Sequence, residues 1–365
     1  MYIRPVPGAP PAALAPADVL GAYGRELEGA GWPVRLLCTR LPALLPLAAH
    51  LAPAERNHWQ GGLHEAWSRH AWAMAPAARG RLLELAAAWS DWPLARAAGV
   101  SLAEDHQPWH ALLLMDAHQH LGDTDAALDI ALHWQLATPH DQRFALAWRE
   151  LTAHRHFRET WPAIDGADWN EPDLRLEPLA HHHLDDFAWQ YFDPDIARLC
   201  CLPDFPDAAA WHAWLNGLYA RGDELPLAVL HRDHGFIGCS HLVLHEGVGF
   251  LYYWLGQDFR GQGLALRANT LLLAAARDRF GMTACYAKVF EHNGESRRLL
   301  ERLGFEDMEI RARPPDEAEK FYQLDSSDAR ATGGGELRKL MSRVSPSTHL
   351  EPQGCAIFEE HHHVK

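Results

Sequence analysis

The chain lacks any run approaching the roughly 18 apolar residues that a membrane-spanning helix requires. Its first segment, MYIRPVPGAPPAALAPADVL, has no charged stretch followed by an apolar one. Neither membrane insertion nor export is therefore expected, and the cytoplasm is the expected location. Basic charge is also lacking overall: the formal net charge is −15, which argues against a general nucleic-acid binder, since binding a phosphate backbone needs an extended basic face. Cysteine is sparse, with six residues, no C-x-x-C pair and no recurring spacing. That argues against a zinc ribbon or a disulfide framework, and the adjacent Cys200 and Cys201 read as buried thiols in a reducing compartment.

What is present is apolar content of 48% over 365 residues. Such a chain folds, and it is too long for one ordinary core, so two domains and a tail are expected. From about Ala17 to Arg158, Ala, Leu, Trp and His recur with a helical period, which predicts an all-α domain over 1–165. Its clearest unit, HALLLMDAHQHLGDTDAALDIALHWQLATP, reads as a helix through His120, a break at Gly122-Asp123 and a second helix from Thr124. Ala117, Ala126, Ala127 and Ala131 let the two approach closely. The hairpin resembles a tetratricopeptide-like unit, although a regular repeat period is not evident elsewhere. An irregular αα-hairpin is the plainer reading. Large aromatics in this domain suit either helix packing or recognition of an acceptor or partner.

Between Phe157 and Asp173 the periodicity fails and Pro, Gly, Asp and Asn collect, which reads as a linker. Over 172–325 the pattern becomes β-α-α-β-β-β-α-β-α followed by more strand. The expected fold class is α+β: the helical domain, then a mixed sheet flanked by helices with one β-α-β crossover. After Ser326 the sequence is polar and glycine-rich, so 326–365 reads as a mobile tail with one short helix.

The chemistry concentrates in YWLGQDFRGQGLALRANTLLLAAARDRFG, from Tyr253 to Gly281. The loop DFRGQGLA lies between a strand and a helix, so orphan N–H groups and the positive end of the helix dipole converge there. Gly261 and Gly263 remove Cβ atoms, and Arg260 adds charge. No Lys-Ser or Lys-Thr follows, as a Walker loop needs, and the third glycine of a dinucleotide fingerprint is missing. Between Gly247 and Phe305 eight Lys/Arg face five Asp/Glu, a local excess of cations in an acidic chain. A polyphosphate ligand explains both features; an ordinary tight turn would account for the glycines alone, and a solvated helix face for some of the charges but not the glycines.

Arg260-x-x-Gly263-x-Ala265 resembles the Arg/Gln-x-x-Gly-x-Gly/Ala signature of the GCN5-related N-acetyltransferases (GNAT), and NGESRRLLERLGF, Asn293 to Phe305, resembles that superfamily's second signature. LRLEPLAHHHLDDF and the Leu at position 300 are similar to its ribosomal-protein N-terminal acetyltransferase branch. The resemblance implies an acyl-CoA-dependent N-acyltransferase, most simply using acetyl-CoA, that acts on a primary amine by direct attack. Its coenzyme site would comprise Trp254, Leu255, Arg260, Gly261, Gln262, Gly263, Leu264, Ala265, Asn293, Ser296 and Arg298. The Leu255 backbone would supply the oxyanion donor, and Asn293 would orient the pantetheine arm or its neighbouring helix.

Many members carry a leaving-group Tyr where this chain has Leu300, which leaves Ser296 to orient or protonate the thiol. For a base, Glu246 and His245 stand ahead of the relevant strand, and Tyr252 and Tyr253 line the acceptor channel or simply pack. His181, His182 and His183 are adjacent and read as pointing apart, so no metal is assigned. The terminal EEHHHVK reads as an adventitious metal binder or a cloning remnant. Two other readings remain open: an acyltransferase for a small-molecule or siderophore amine, and a non-catalytic coenzyme A sensor or peptide-docking adaptor.

Overall fold

The structure, a computed structural model, describes residues 16–33, 37–41, 53–102, 107–200, 202–312, 319–324, 335–345, 348 and 350–352. Cys201, Cys355, the terminal EEHHHVK and the segment ahead of Pro16 lie outside these. The chain divides into two compact units, Met1–Leu151 and Thr152–Lys365, and no described helix is long and apolar enough to cross a membrane.

The first unit is helical: Pro16–Gly29, Pro53–His70, Pro76–Ala88, Trp92–Val100, Pro108–His120, Thr124–Ala137 and the start of Gln142–Thr160. Proline opens the third, fourth and fifth of these, where its missing N–H costs nothing. Two hairpins share one turn device. Ser90 and Gly122 take left-handed backbone at φ +58° and +77°. The following Asp91 and Asp123 then cap the next helix by accepting from the Leu94 and Ala126 N–H groups at 3.3 and 3.2 Å. Trp32, Trp59 and Trp89 are buried while Trp72 and Trp109 are exposed, so the aromatics serve both core and surface.

The second unit is built on a nine-stranded sheet in the order β1-β2-β3-β4-β5-β6-β8-β7-β9. The strands are β1 Ile164–Asp165, β2 Leu174–Pro178, β3 Glu224–His231, β4 Gly235–His245, β5 Val248–Leu255, β6 Ala284–Phe290, β7 Glu306–Ala312, β8 Glu319–Leu324 and β9 Leu350–Pro352. All neighbours are antiparallel except β5 and β6, whose crossover is the helix Leu264–Phe280. Strand alternation gives the two faces different partners. Phe250 and Tyr252 cluster with Leu337, Leu340 and Met341 of the helix Gly335–Val344. Leu251 and Tyr253 join the larger core with Leu264, Leu271 and Leu272.

Two sequence expectations change. The stretch read as a linker is part of this sheet: Phe157, Trp161 and Ile164 are buried in its core and β1 pairs with β2. Its Gly and Asn make tight turns rather than slack. A Cβ on Gly166 would sit 2.0 Å from the Glu171 carbonyl oxygen, and Asn170 is left-handed at φ +62°. Arg267 then ties Glu171 and Asp173 to the helix Leu264–Phe280.

The described part of the stretch read as a mobile tail, 335–345 and 350–352, is also packed. Leu337, Leu340 and Met341 stand three and four apart on one helical face and are buried, and β9 pairs with β7. The Tyr286 hydroxyl donates to Glu336 at 3.1 Å. The short helix was expected; that one of its faces packs on the sheet was not. Ending the chain at Leu324 should accordingly lower the melting temperature of the second unit, and Leu340→Ala alone should cost about 2–4 kcal/mol, read by calorimetric or circular-dichroism melts. Unchanged melting in both would show that the segment packs without stabilising.

Candidate functional site

β5 and β6 pair from Val248↔Ala284 to Leu251↔Ala287 and no further, although β5 runs on to Leu255 and β6 to Phe290. Beyond that point β5 stays with β4 and β6 with β8. A gap therefore opens inside the sheet, and it widens into a cavity of about 980 Å³. Backbone direction along β5 follows from three contacts. Gly256 N–H donates to Ile237 of β4 at 3.0 Å. The Tyr253 carbonyl accepts from the Cys200 thiol at 3.5 Å and the Leu255 carbonyl from Arg260 Nε at 3.1 Å. Alternation then turns the N–H groups of Tyr253 and Leu255 into the gap and those of Trp254 toward β4. The Leu255 N–H thus faces the gap, while Trp254 lines the cavity with its N–H turned away toward β4.

At the cavity's edge the chain passes through Gly261 and Gly263, left-handed at φ +73° and +78°. Nothing lies within 4 Å of where a Cβ would stand on either, so the space above them is open. Gly263 begins the 17-residue helix Leu264–Phe280, and no side chain caps it. The N–H groups of its first turn thus remain available to an anion. Gly261, Gly263, Leu264 and Ala265 line the cavity, whereas Gln262 turns back to donate to the Asp258 carbonyl at 2.7 Å.

Local cations divide into those already committed and those left over. Arg260 pairs with Asp193 at 2.8 Å as well as with the Leu255 carbonyl, so it braces the loop against the strand end. Arg267, Arg279 and Lys288 pair with Glu171, Asp168 and Glu319, and Arg297 donates to the Glu291 carbonyl. Arg298 and Arg302 line the cavity from one face of the helix Gly294–Arg302, with no ion-pair or hydrogen-bond partner among the described residues. The sequence reading named Arg298 and missed Arg302, although their i,i+4 spacing places them side by side.

Asn293 Oδ1 accepts from Ser296 N–H at 3.1 Å and so caps that helix. Its role is to set the helix, one of the two alternatives expected. Ser296 Oγ meets the Tyr253 hydroxyl at 2.8 Å on the cavity wall. Burial pushes the Tyr253 phenol up, outweighing the lowering effect of the Ser296 hydrogen bond, so Tyr253 stays protonated through the neutral range. Leu300 is buried and supplies only packing.

The assignment of Glu246 as base is corrected. Glu246 takes φ +51° in the β4–β5 turn with its carboxylate exposed, 3.9 Å from His245. The length of β5, roughly 25 Å at about 3.3 Å per residue, separates it from Leu255. A residue ahead of a strand lies at the end opposite the one that opens.

What sequence reasoning missed lies on the Tyr252 face. Glu224, at the start of β3, receives the Tyr252 hydroxyl, pairs with Arg221 at 3.4 Å and has His241 Nδ1 at 3.5 Å. Burial pushes its carboxyl up, but His241 and Arg221 together hold it below the usual glutamate range. Only the cross-strand register brings these residues together.

The three histidines also differ from expectation. His182 and His183 form a tight turn in which both Nε2 atoms reach Glu177 Oε1, at 3.3 and 3.2 Å, and the three ligand atoms lie within 4.8 Å of one another. His183 Nδ1, however, accepts from Ala180 N–H at 3.0 Å. That fixes the neutral ring's proton on Nε2, facing the carboxylate, which makes the contact a hydrogen bond and not a ligand position.

Arg298→Ala and Arg302→Ala should each raise the Kd for acetyl-CoA by about tenfold or more, since a charge-assisted hydrogen bond is worth about 1.5–3 kcal/mol, and the loss should shrink at high salt. Calorimetry that finds both unchanged would remove this helix from the phosphate site. Gly263→Ala should weaken binding and also cost about 1–2 kcal/mol of stability, because its left-handed backbone strains any residue bearing a Cβ.

Residues 173–306 match the family model described as acetyltransferase (GNAT) domain. No curated protein matches the chain. Among solved structures it is similar to a GCN5-related N-acetyltransferase from Brucella melitensis, with 20% identity, 43% of this chain and 79% of that one covered, and a TM-score of 0.38. It is also similar to RimJ of Mycobacterium smegmatis, with 18% identity, 44% and 89% covered, and a TM-score of 0.38. A third is spermidine N-acetyltransferase from Vibrio cholerae, with 14% identity, 42% and 95% covered, and a TM-score of 0.38. The gapped sheet, its glycine loop and the helix behind it thus lie within a GNAT acetyltransferase domain over residues 173–306, a class of N-acetyltransferase domain that uses an acyl-CoA as cosubstrate.

Proposed function

We propose that the protein transfers an acetyl group from acetyl-CoA to a primary amine of a peptide, protein or small molecule, by direct attack in the gap between β5 and β6. The observation that carries this reading is the end of β5–β6 pairing at Leu251 and Ala287, which leaves unpaired backbone N–H groups beside a large cavity. The diphosphate is held by the first turn of the helix Leu264–Phe280 with Arg298 and Arg302 nearby. The pantetheine arm lies along the free edge of β5, and the thioester carbonyl accepts from a backbone N–H there as its oxygen gains charge.

The departing thiolate takes its proton from the Tyr253–Ser296 pair, which meets on the cavity wall. Tyr253 is protonated and hydrogen-bonded to Ser296, so a proton is within reach as charge develops on sulfur, although the burial that keeps it there also makes the phenol a weaker acid. Tyr253→Phe should therefore lower kcat by about 100-fold while leaving the Kd for acetyl-CoA within about twofold. A loss confined to coenzyme binding would make Tyr253 a wall residue only.

The helical unit is proposed to select the acceptor, supported by its exposed Trp72, Trp109 and Leu136. Deletion of residues 1–151, cut at the boundary between the units, should spare acetyl-CoA binding and raise KM for the preferred acceptor far more than for a generic amine. Equal losses would reduce the unit to a stabilising role. The acceptor itself is found by mass spectrometry of a peptide and amine panel incubated with acetyl-CoA and longer acyl-CoAs. Failure to acylate any member while acetyl-CoA binds would favour the coenzyme sensor.

A further inference from the structure

The least explained polar group in the second unit is His241. It is completely buried, neither ring nitrogen makes a hydrogen bond, and the ring stacks on Tyr252 with centroids 4.4 Å apart. Leaving a buried donor or acceptor unmade costs about 1–3 kcal/mol, and such exceptions concentrate where a protein needs chemistry. His241 Nδ1 faces Glu224 Oε1 at 3.5 Å, slightly beyond a made hydrogen bond. Glu224 and Tyr252 both line the cavity. Because Tyr252 and Tyr253 point to opposite faces, this cluster lies across the sheet from the Tyr253–Ser296 pair.

We propose that Glu224 receives the ammonium group of the acceptor on the Tyr252 face of the gap, and that His241 behind it is the positioning residue that stores the proton removed. The inference rests on the transferase reading above and adds the acceptor's entry face and its charge. An alkylammonium with a pKa near that of lysine, about 10.4, cannot attack until it loses a proton. Glu224 accepts that proton and passes it to His241 Nδ1. The free amine then forms the C–N bond and the C–S bond breaks. As the tetrahedral adduct collapses, Tyr253–Ser296 protonates the departing thiolate and is itself restored by the second nitrogen proton. The proton stored on His241 returns through Glu224 to solvent, so one amide, one coenzyme thiol and one released proton result.

Glu224 is suited to relay rather than to hold a proton, since its carboxyl sits below the usual range. The surrounding charges fit a cationic guest. Arg221 from the helix Ala208–Arg221 and the Tyr252 hydroxyl from β5 touch the carboxylate, and Asp223 precedes it. Also on the cavity wall, Lys288 of β6 and Glu319 of β8 neutralise one another at 2.8 Å. Arg343 of the C-terminal helix lines the cavity too, and sets a limit on how much positive charge beyond one amine the acceptor carries.

The test compares n-butylamine, an ammonium near pH 8, with hydroxylamine, which is neutral there. Glu224→Gln keeps the shape and the Tyr252 hydrogen bond. It should lower kcat/KM for n-butylamine by about 100-fold and for hydroxylamine by tenfold or less, with the Kd for acetyl-CoA and the melting temperature unchanged. His241→Asn should move the acid limb of the n-butylamine pH profile, which a purely structural histidine would leave in place. Equal losses for the two amines, or an unmoved acid limb with full loss of rate, overturns the proposal while the transferase reading stands. A protein that binds no acetyl-CoA overturns both.

Discussion

The structure of the second unit turns on one interrupted ladder. A parallel pair that stops at Leu251 and Ala287 while both strands continue leaves main-chain donors and acceptors unpaired in the middle of a sheet. Such groups are costly unless something completes them. At the sheet rim β9 pairs with β7, whereas here among the described residues only Cys200 and Arg260 reach the freed carbonyls, and they reach carbonyls, not N–H groups. An extended ligand with its own amides, such as the pantetheine arm, has the right chemistry to supply the missing partners.

The rest of the site follows from where that gap falls. The strand that loses its neighbour runs straight into the glycine loop, so the helix dipole and the unpaired N–H groups face one cavity. Arg260 ties the strand end, the loop and Asp193 together, which makes it a brace for the cradle in the ligand-free protein. Alternation along β5 then separates the chemistry by face. Tyr253 carries its hydroxyl to Ser296 on the coenzyme side, and Tyr252 carries its own to Glu224 on the other. Two consecutive tyrosines thereby place the proposed proton donor for the leaving group and the proposed acceptor site on opposite faces.

The glycine loop, the cation excess and the helix after it were legible in the sequence because they are local: spacing along one segment determines them. So was the strand and helix order from Leu174 to Phe305, apart from the short helix Pro194–Cys200, which was not read. Glu224, His241 and Arg302 were not singled out, since nothing local marks the first two and the pairing of β3, β4 and β5 alone brings them to one place. Glu246 was chosen by adjacency to β5 and fell at its wrong end, for a strand has two ends and the sequence does not say which one opens. The linker and tail readings erred through composition. Gly, Asn and Asp were taken as slack where they build turns against a core, and the expected short helix in the tail packs through Leu337, Leu340 and Met341 where its polar flanks suggested it would stay free.

The account stands or falls on whether the coenzyme occupies the gap. Hydrogen exchange at individual amides with and without saturating acetyl-CoA reads this directly. The account predicts slowed exchange at Tyr253 and Leu255, the unpaired edge of β5, together with the first turn of the helix Leu264–Phe280. Bound acetyl-CoA that leaves Tyr253 and Leu255 exchanging at their ligand-free rates would contradict it.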